Sequence, residues 1–515
     1  MAGTRPPEHD SRAGRGSSAS LSRLLIGGGF WSLLGRFGQS FVMLAGTVVL
    51  ARLLTPGDFG VIAISTSLTV LMLVIADGFI DFPILRSNDL DEDRLRSLLW
   101  ACFAIMTASS AVVIVAAPTL EALFGFAGLA GVLRATCPIF FFQAVMVTGR
   151  AIMRRQHRFR DAGLFLVVSA AIYVVVAIAG AVAGWGYWSL VAGQIALHFA
   201  MAVQFAFAAR LSLRWPRRFD LSGLAATGSY GLASRVFAWF WSAVDTIAVG
   251  LSTSAAATGL YSRAYNLSTQ AKEPFVALDH PIRQALIAKR ERDGSIATLA
   301  PKILRLVTIG TSLVAASLVL FRELVVEILL GPQWGGVVVP LAILVAGLPA
   351  RIALNFIDSA ILVSGRMAHM LRRHIFMCVL VGGGVAAAAS WGIVAVACVV
   401  TAALYIALPV AVDTTGESPP LSRRAVLLAI APGMAIGGLL VIAGEAIGAI
   451  WPWGELGLAA VIAALFAVCV VALAVFLPEA WTFPEWTRRR NRIVRAITDR
   501  VRPRRRGKPH STRDR

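Results

Sequence analysis

Charged residues are few in this sequence, and their scarcity excludes a soluble domain. Only 15% of the 515 residues are Asp, Glu, Lys or Arg, whereas a soluble globular domain carries about 25%. Hydrophobic residues make up 57% of the chain, and the mean hydropathy is +0.74. Such a chain has too few charges to cover a water-facing surface, so we expect a membrane protein.

Paired cysteines and the common catalytic motifs are also missing. The five cysteines lie in apolar runs without a C-x-x-C pair, which argues against a disulfide framework and a zinc site. The chain has no phosphate-binding G-x-x-x-x-G-K-[ST], no H-E-x-x-H and no G-x-S-x-G motif. We therefore expect no metal, no cofactor and no enzymatic activity, and we exclude an ATP-driven pump.

Long apolar runs fill most of the chain. A membrane helix needs about 20 apolar residues, and scanning at that length predicts about fourteen transmembrane helices. The predicted fold is therefore an all-α, polytopic membrane protein. The predicted spans are 27–51, 58–80, 97–117, 128–149, 162–183, 187–209, 224–250, 256–282, 303–321, 336–358, 374–390, 392–412, 425–446 and 456–477.

The positive charge is distributed unevenly between the loops of this topology. The formal net charge is +20, and 39 of the 48 Lys and Arg fall in the termini and the even-numbered loops. The opposite loops hold only Arg52 and Arg322. Because cytoplasmic loops concentrate Lys and Arg, the pattern predicts that both termini are cytoplasmic. The excess charge is then explained by topology, and nucleic acid is not an expected partner.

The chain contains a weak internal repeat. Six positions of residues 29–60 recur in residues 228–259 at an offset of 199, among them Arg36/Arg235 and Gly60/Gly259. An offset of six spans predicts two six-helix lobes in parallel orientation, followed by two further helices. The predicted divisions are a disordered arm (1–25), an N-lobe (26–215), a C-lobe (216–415), helices 13 and 14 (416–478) and a basic cytoplasmic tail (479–515).

Two arginines lie at equivalent depths within the first and seventh spans. A charge at membrane depth is costly and usually faces a cavity or a partner. Arg36 and Arg235 each begin a polar stripe along one helical face. Either both arginines extend to the headgroups on the cytoplasmic side, or they line a cavity; their recurrence in both halves favours the cavity.

The eighth span carries a polar stripe of its own. Arg263, Asn266, Gln270 and Glu273 share one helical face, and Pro274 follows them. Such a face does not suit lipid, so it either lines a polar cavity or packs on another polar helix; we favour the cavity.

Further charges within the spans allow two interpretations. Lys272 and Glu273, together with Asp245 and Asp358, could form ion pairs that neutralise one another, or they could provide a site for a coupling proton or sodium ion.

Two segments resemble a known family. ARLLTPGDFGVIAI (51–64) and GLYSRAYNL (259–267) are similar to the corresponding segments of the Wzx-like polysaccharide transporters, which export lipopolysaccharide, O-antigen or colanic acid. The resemblance extends over roughly residues 25–480. It implies a flippase in the bacterial inner membrane that moves an undecaprenyl-pyrophosphate-linked oligosaccharide by alternating access, for surface polysaccharide synthesis. Membrane lipids, a polysaccharide polymerase and glycosyltransferases are the expected partners.

The residues fit this function independently of the resemblance. Arg36, Arg235 and Arg263 can bind phosphate oxygens, with Asn266 and Gln270 beside them. Two alternatives remain open: a cation-coupled multidrug exporter of the same superfamily, and a transport-inactive scaffold that recruits glycan-assembly enzymes.

Overall fold

The computed structural model describes residues 13–86, 92–220, 224–276, 278–364, 367–413 and 422–450. Within these ranges the regular structure is helical throughout. Two short 3-10 helices, Pro332–Val337 and Ala389–Trp391, accompany seventeen α-helices. The α-helices are α1 Ala13–Leu53, α2 Pro56–Arg86, α3 Glu92–Phe124, α4 Leu129–Thr136, α5 Pro138–Arg155, α6 Phe159–Val182, α7 Tyr187–Ala208, α8 Leu224–Ser252, α9 Ala255–Val276, α10 Asp279–Asp293, α11 Ala300–Leu320, α12 Arg322–Leu329, α13 Val338–Ala346, α14 Leu348–Val363, α15 Met367–Ala388, α16 Ile393–Asp413 and α17 Arg423–Ile450.

Most of these helices are suited to a bilayer. In the part of the chain that the structure describes, ten helices are long and apolar enough to cross a membrane. An eleventh span is a bent pair, Pro332–Ala346 followed by Leu348–Val363, with 42° between its halves. The helices α8 and α9 fall outside this set because of their polar side chains. The all-α, multi-pass architecture is confirmed, while the count of fourteen stays a prediction.

Three predicted segments lie wholly or partly outside the described residues. The fourteenth span (456–477) and the basic tail (479–515) lie outside them. At the other end, α1 begins at Ala13, so residues 13–25 of the predicted disordered arm are helical. The Ala, Leu and Arg residues of this stretch have high helix propensity, which explains the difference.

The two halves of the chain pair their helices in the same way. In the first half α1 packs on α6, α6 on α7, α5 on α7, and α2 and α3 on α5. In the second half α8 packs on α15, α15 on α16, α14 on α16, and α9 and α11 on α14. These pairings match one to one, so α1 and α2 correspond to α8 and α9. The lobe boundaries at 215 and 415 remain predictions.

A capping box sets the sharp turn between α1 and α2. The backbone N–H and the hydroxyl of Thr55 both donate to the Asp58 carboxylate, at 2.9 and 2.7 Å, and the Asp58 N–H donates back to the Thr55 hydroxyl at 3.3 Å. Pro56 occupies the first helical position, where no N–H is needed. The TPGDFG sequence thereby starts α2 at Pro56, directly after the end of α1 at Leu53.

Besides the contact of α2 with α8, where Trp239 donates its indole N–H to the Ser67 carbonyl at 3.1 Å, the two lobes contact each other at the end where α1 finishes. We call this contact the seam; it is formed by the start of α2 against the start of α9, and by the end of α1 against the 3-10 helix Pro332–Val337. The buried Trp334 donates its indole N–H to the Ala51 carbonyl at 2.9 Å and packs edge-on against Phe59, with ring centroids 5.3 Å apart. Arg52 donates to the Ile328 carbonyl at 3.1 Å. The seam is therefore held by both packing and hydrogen bonds.

Candidate functional site

Arg36 and Arg235 occupy equivalent places on equivalent helices. Arg36 lies 17 residues before Leu53, the last residue of α1, and Arg235 lies 17 residues before Ser252, the last residue of α8. At 1.5 Å per residue, each is roughly 26 Å from the seam end of its helix. Both side chains are exposed. The symmetry predicted from the repeat thus extends to the positions of the two cations.

The residue preceding each arginine explains its orientation. Gly35 packs against Gly163 of α6 so closely that an added Cβ would overlap the Gly163 backbone. Ser234 is buried against α15, where its hydroxyl lies 2.7 Å from His374 Nδ1. Because neighbouring positions on a helix point about 100° apart, Arg36 and Arg235 lie off the faces that contact α6 and α15. Arg235 shares its face of α8 with Trp239, whose indole N–H donates to the Ser67 carbonyl of α2 at 3.1 Å.

Arg263 reaches from the C-lobe to the N-lobe across the seam. Its guanidinium carbon lies 4.3 Å from the centroid of the Phe59 ring, a cation–π geometry. Its Nε is buried and has no acceptor among the described residues. Arg263 therefore combines a contact that closes the seam with an unused hydrogen-bond donor.

The rest of the α9 stripe is more exposed than the opposite face of the helix. Asn266 is exposed, and Gln270 and Glu273 are half-buried. On the opposite face Tyr261, Ala264 and Ser268 are buried in the C-lobe. The stripe thus faces away from the C-lobe interior, as a cavity lining would. Lys272 is half-buried beside it, and α9 ends at Val276, two residues after Pro274.

Asp245 is directed into the C-lobe. Its side chain is buried, and it accepts hydrogen bonds from the Tyr261 hydroxyl at 2.8 Å and from the Thr246 N–H at 2.6 Å. Tyr265 stacks on Tyr261 with centroids 6.4 Å apart, and the buried Arg351 lies 5.0 Å from the Tyr265 ring. A tyrosine, rather than Lys272 or Glu273, is thus the side chain that holds this carboxylate.

Asp358 is the carboxylate that forms a buried ion pair. It pairs with Arg373 and lies 3.5 Å from His374 Nε2, both on α15. Arg373 and His374 are 2% and 8% exposed. We name Ser234, Asp358, Arg373 and His374 the His374 cluster. The predicted span 374–390 begins too late: α15 starts at Met367, so Arg373 lies within the helix and not in a cytoplasmic loop.

Sequence reasoning overlooked several of these partners. Arg351 is a cation within a predicted span, which was a usable signal, whereas Tyr261 and Trp334 carried none because aromatic residues are common in membrane helices. Within the described part of the chain, no group of three or more His, Cys, Asp or Glu residues is arranged to hold a metal ion.

The sequence of this chain is similar to those of known polysaccharide biosynthesis proteins. A family profile described as "Polysaccharide biosynthesis protein" matches residues 49–339, which is more than half of the chain. The succinoglycan biosynthesis transport protein ExoT of Rhizobium meliloti (strain 1021) is 27% identical over 165 residues. That alignment covers 32% of this chain and 33% of ExoT, so it spans about a third of the relative.

Solved transporter structures share the fold at low sequence identity. The lipid II flippase MurJ, in an inward closed conformation, superposes with a TM-score of 0.64 at 11% identity, covering 86% of this chain and 99% of MurJ. An inward-facing multidrug resistance transporter of the MATE family and MOP superfamily superposes with a TM-score of 0.57 at 14% identity, covering 78% of this chain and 95% of that transporter. A MOP superfamily transporter from Pyrococcus furiosus superposes with a TM-score of 0.52 at 14% identity, covering 81% of this chain and 96% of that transporter. The chain belongs to the polysaccharide biosynthesis protein family and has the fold of the MOP superfamily transporters.

Proposed function

We propose that this protein is a flippase which moves a polyprenyl-pyrophosphate-linked oligosaccharide, undecaprenyl-linked in bacteria, across the inner membrane by alternating access. Both termini are cytoplasmic in this proposal, and the protein performs no chemistry on its substrate. The observation that carries the proposal is the pair of exposed arginines, Arg36 and Arg235, at equivalent depths of equivalent helices.

A pyrophosphate has two anionic groups and suits a site with one cation from each lobe. Arginine binds phosphate through two parallel N–H···O bonds, and these charge-assisted bonds are about twice as strong as neutral ones. Arg36 and Arg235 would hold the anionic group while the polyprenyl chain remains in lipid and the glycan lies in the polar cavity. Asn266 and Gln270 would donate to glycan hydroxyl groups.

Alternating access requires two lobes that close at one end and separate at the other. The lobes are closed at the seam through Trp334, Phe59 and Arg263. Opening of this seam, with closure at the opposite end, would carry the bound headgroup from one leaflet to the other. The MOP fold supports this proposal, because lobe movements are the basis of transport in such two-lobe architectures.

The relatives support the class of substrate. ExoT is described as a transport protein of succinoglycan biosynthesis, and MurJ as a flippase of lipid II. Glycosyltransferases would then act before this protein and a polysaccharide polymerase after it, so we propose them as partners.

The test is complementation of a deletion strain with Arg36→Gln, Arg36→Lys, Arg235→Gln and Arg235→Lys at equal protein levels. We expect accumulation of one lipid-linked glycan in the deletion strain, with loss of the matching surface polymer. The Gln variants should restore export at least tenfold less well, since a lost charged hydrogen bond costs about 1.5–3 kcal/mol. The Lys variants should be intermediate, because lysine binds phosphate through a single point charge.

Arg292→Gln is the matched control, since this arginine is 82% exposed on α10. It should export normally. Normal export by both Gln variants would show that the anion site is wrong. Unchanged glycans in the deletion strain, with altered sensitivity to cationic drugs, would instead indicate a multidrug exporter. Unchanged glycan transport, with loss of enzyme recruitment, would indicate a scaffold.

A further inference from the structure

The His374 cluster joins three helices inside the C-lobe. Asp358 comes from α14, Arg373 and His374 from α15, and Ser234 from α8. Ser234 immediately precedes Arg235, so the cluster fixes α8 at the residue beside the proposed substrate cation. The other helix packed on α15 is α16, which has no His, Lys, Arg, Asp or Glu between Ile393 and Ala411. The charged groups in contact with His374 are Asp358 and Arg373, and α8 adds Arg235 next to Ser234.

The contacts of His374 fit a neutral imidazole with its proton on Nδ1. An Arg373 Nη2 lies 3.0 Å from His374 Nε2, and a guanidinium has donors only. His374 Nε2 must therefore accept, and its proton resides on Nδ1, which donates to the Ser234 hydroxyl at 2.7 Å. In this state the imidazole is neutral, and the negative charge of Asp358 neutralises the positive charge of Arg373.

The same geometry leaves a place for one more proton. His374 Nε2 and Asp358 Oδ2 are two acceptors only 3.5 Å apart. A proton on Nε2 would donate to this carboxylate, and it would expel Arg373 Nη2, since two donors cannot face each other. The cluster can accommodate this change of hydrogen-bond partners, because unused groups are available to Arg373 and Asp358. Asp358 Oδ1 and the Nε and Nη1 of Arg373 are buried without partners among the described residues.

Water can approach the cluster through a cavity. A cavity of about 250 Å³ between α9, α10, α11 and α14 is lined by Asp358, Asn355 and Asp279. This volume holds several water molecules, and its polar lining can support them. Asp279 is bonded by Arg283 and Ser359, so Asp358 is the carboxylate in this lining with an unpartnered oxygen.

We propose that His374 and Asp358 form a proton-binding site which couples proton movement to displacement of α8, the helix that carries Arg235. This inference rests on the proposed function, since coupling presupposes transport. Proton binding at Nε2 separates Arg373 from His374, shifts the imidazole that holds Ser234, and so moves the α8 segment next to the substrate site. Histidine suits this role because one ring nitrogen can bind and release a proton while the other keeps its hydrogen bond.

The first test measures proton binding without any substrate. The full chain, cysteine-free except for spin labels at Phe207→Cys on α7 and Phe240→Cys on α8, is reconstituted in nanodiscs, and the distance distribution is recorded between about pH 5 and pH 8. Both label positions are exposed. We expect a pH-dependent shift that is lost in His374→Asn, which keeps a donor for Ser234 but cannot bind the proton. Retention of the shift in His374→Asn, or its absence in the parent, would overturn the proposal.

The second test measures coupled transport in liposomes that contain lipid-linked glycan extracted from the host. We expect a pH gradient to change the flipping rate, and His374→Asn and Ser234→Ala to lose this response. His198→Asn is the matched control: His198 is a second histidine in a membrane helix, and its Nδ1 lies 2.8 Å from the Gln194 carbonyl within α7. It should respond as the parent does. A response to a sodium gradient alone would overturn the proton site.

The two proposals fail in distinguishable ways. Flipping that ignores the pH gradient would reject the proton site and leave the flippase standing. A distance shift that depends on pH and on His374, in a protein that moves no glycan, would support the proton site and reject the flippase.

Discussion

Gly60 and Gly259 occupy equivalent positions in the two lobes, and each packs against the helix that carries the other. A Cβ on Gly60 would overlap the carbonyl oxygen of Ala255, and a Cβ on Gly259 would overlap that of Pro56. Residues 56 and 60 correspond to 255 and 259 at the repeat offset of 199, so the contact is reciprocal. The seam is thus a two-fold contact between backbones, which only glycine permits at these positions.

Substitution of Gly60 or Gly259 should prevent closure of the seam. We expect Gly60→Val and Gly259→Val to abolish cross-linking between Gly57→Cys and Thr253→Cys, two positions that line one cavity at the seam. A side chain cannot be accommodated where the neighbouring atoms belong to the backbone. Gly383→Ala is the control, because open space surrounds this helical glycine. Undiminished cross-linking in both valine variants would contradict the seam described here.

The contact between Arg263 and Phe59 should contribute measurably to stability. A double-mutant cycle with Arg263→Met and Phe59→Leu should give a coupling free energy of about 0.5–2 kcal/mol, the range of partly desolvated cation–π pairs. The measurement is denaturant or thermal unfolding in one detergent. Additive effects of the two substitutions would show that the guanidinium and the ring do not interact.

The indole N–H of Trp334 should stabilise the closed seam. Trp334→Phe retains a ring against Phe59 but removes the donor to the Ala51 carbonyl, so we expect a loss of about 1 kcal/mol in the free energy of unfolding. Trp391→Phe should have little effect, since Trp391 is 80% exposed. Equal effects of the two substitutions would mean that the hydrogen bond contributes nothing.

Breaking the Asp358–Arg373 pair should lower the free energy of unfolding strongly, and removing both charges should lower it less. Asp358→Asn leaves a buried guanidinium without its counter-charge, which costs about 3–5 kcal/mol. The double variant Asp358→Asn/Arg373→Met should recover part of this loss, as measured by thermal unfolding. The exposed pair of Arg158 and Asp161 provides the control: Arg158→Gln should cost less than about 1 kcal/mol. A double variant less stable than Asp358→Asn alone would contradict this account.

The sequence determined the architecture because the bilayer imposes simple rules on it. Long apolar runs separated by short polar loops have no alternative to membrane helices, since lipid satisfies no backbone hydrogen bonds. Thirteen of the predicted spans overlap described helices, ten or eleven of which are long and apolar enough to cross a membrane. The repeat between α1 and α8 emerged from matches such as Arg36/Arg235 and Gly60/Gly259. The family was also recognisable, from residues 51–64 and 259–267.

Local polarity predicted which helices carry polar faces within the membrane but not the partners of their charges. The α9 stripe predicted the lining of a polar cavity, which stays a prediction; the structure places Asn266, Gln270 and Glu273 on the more exposed face of α9. The proposed roles of Arg36, Arg235, Arg263, Asp245, Lys272 and Asp358 stay predictions. Their partners depend on residues far away in the chain, which no helical period relates to one another.

Only the tertiary structure decided how Asp245 and Asp358 are held and where the lobes touch. Tyr261 holds Asp245 and Arg373 holds Asp358, because packing in three dimensions joins α8 to α9 and α14 to α15. The seam likewise depends on the close approach of Gly60 and Gly259. Hydropathy and periodicity report how a segment meets its solvent; the pairing of one buried group with another is set by the arrangement of the whole bundle.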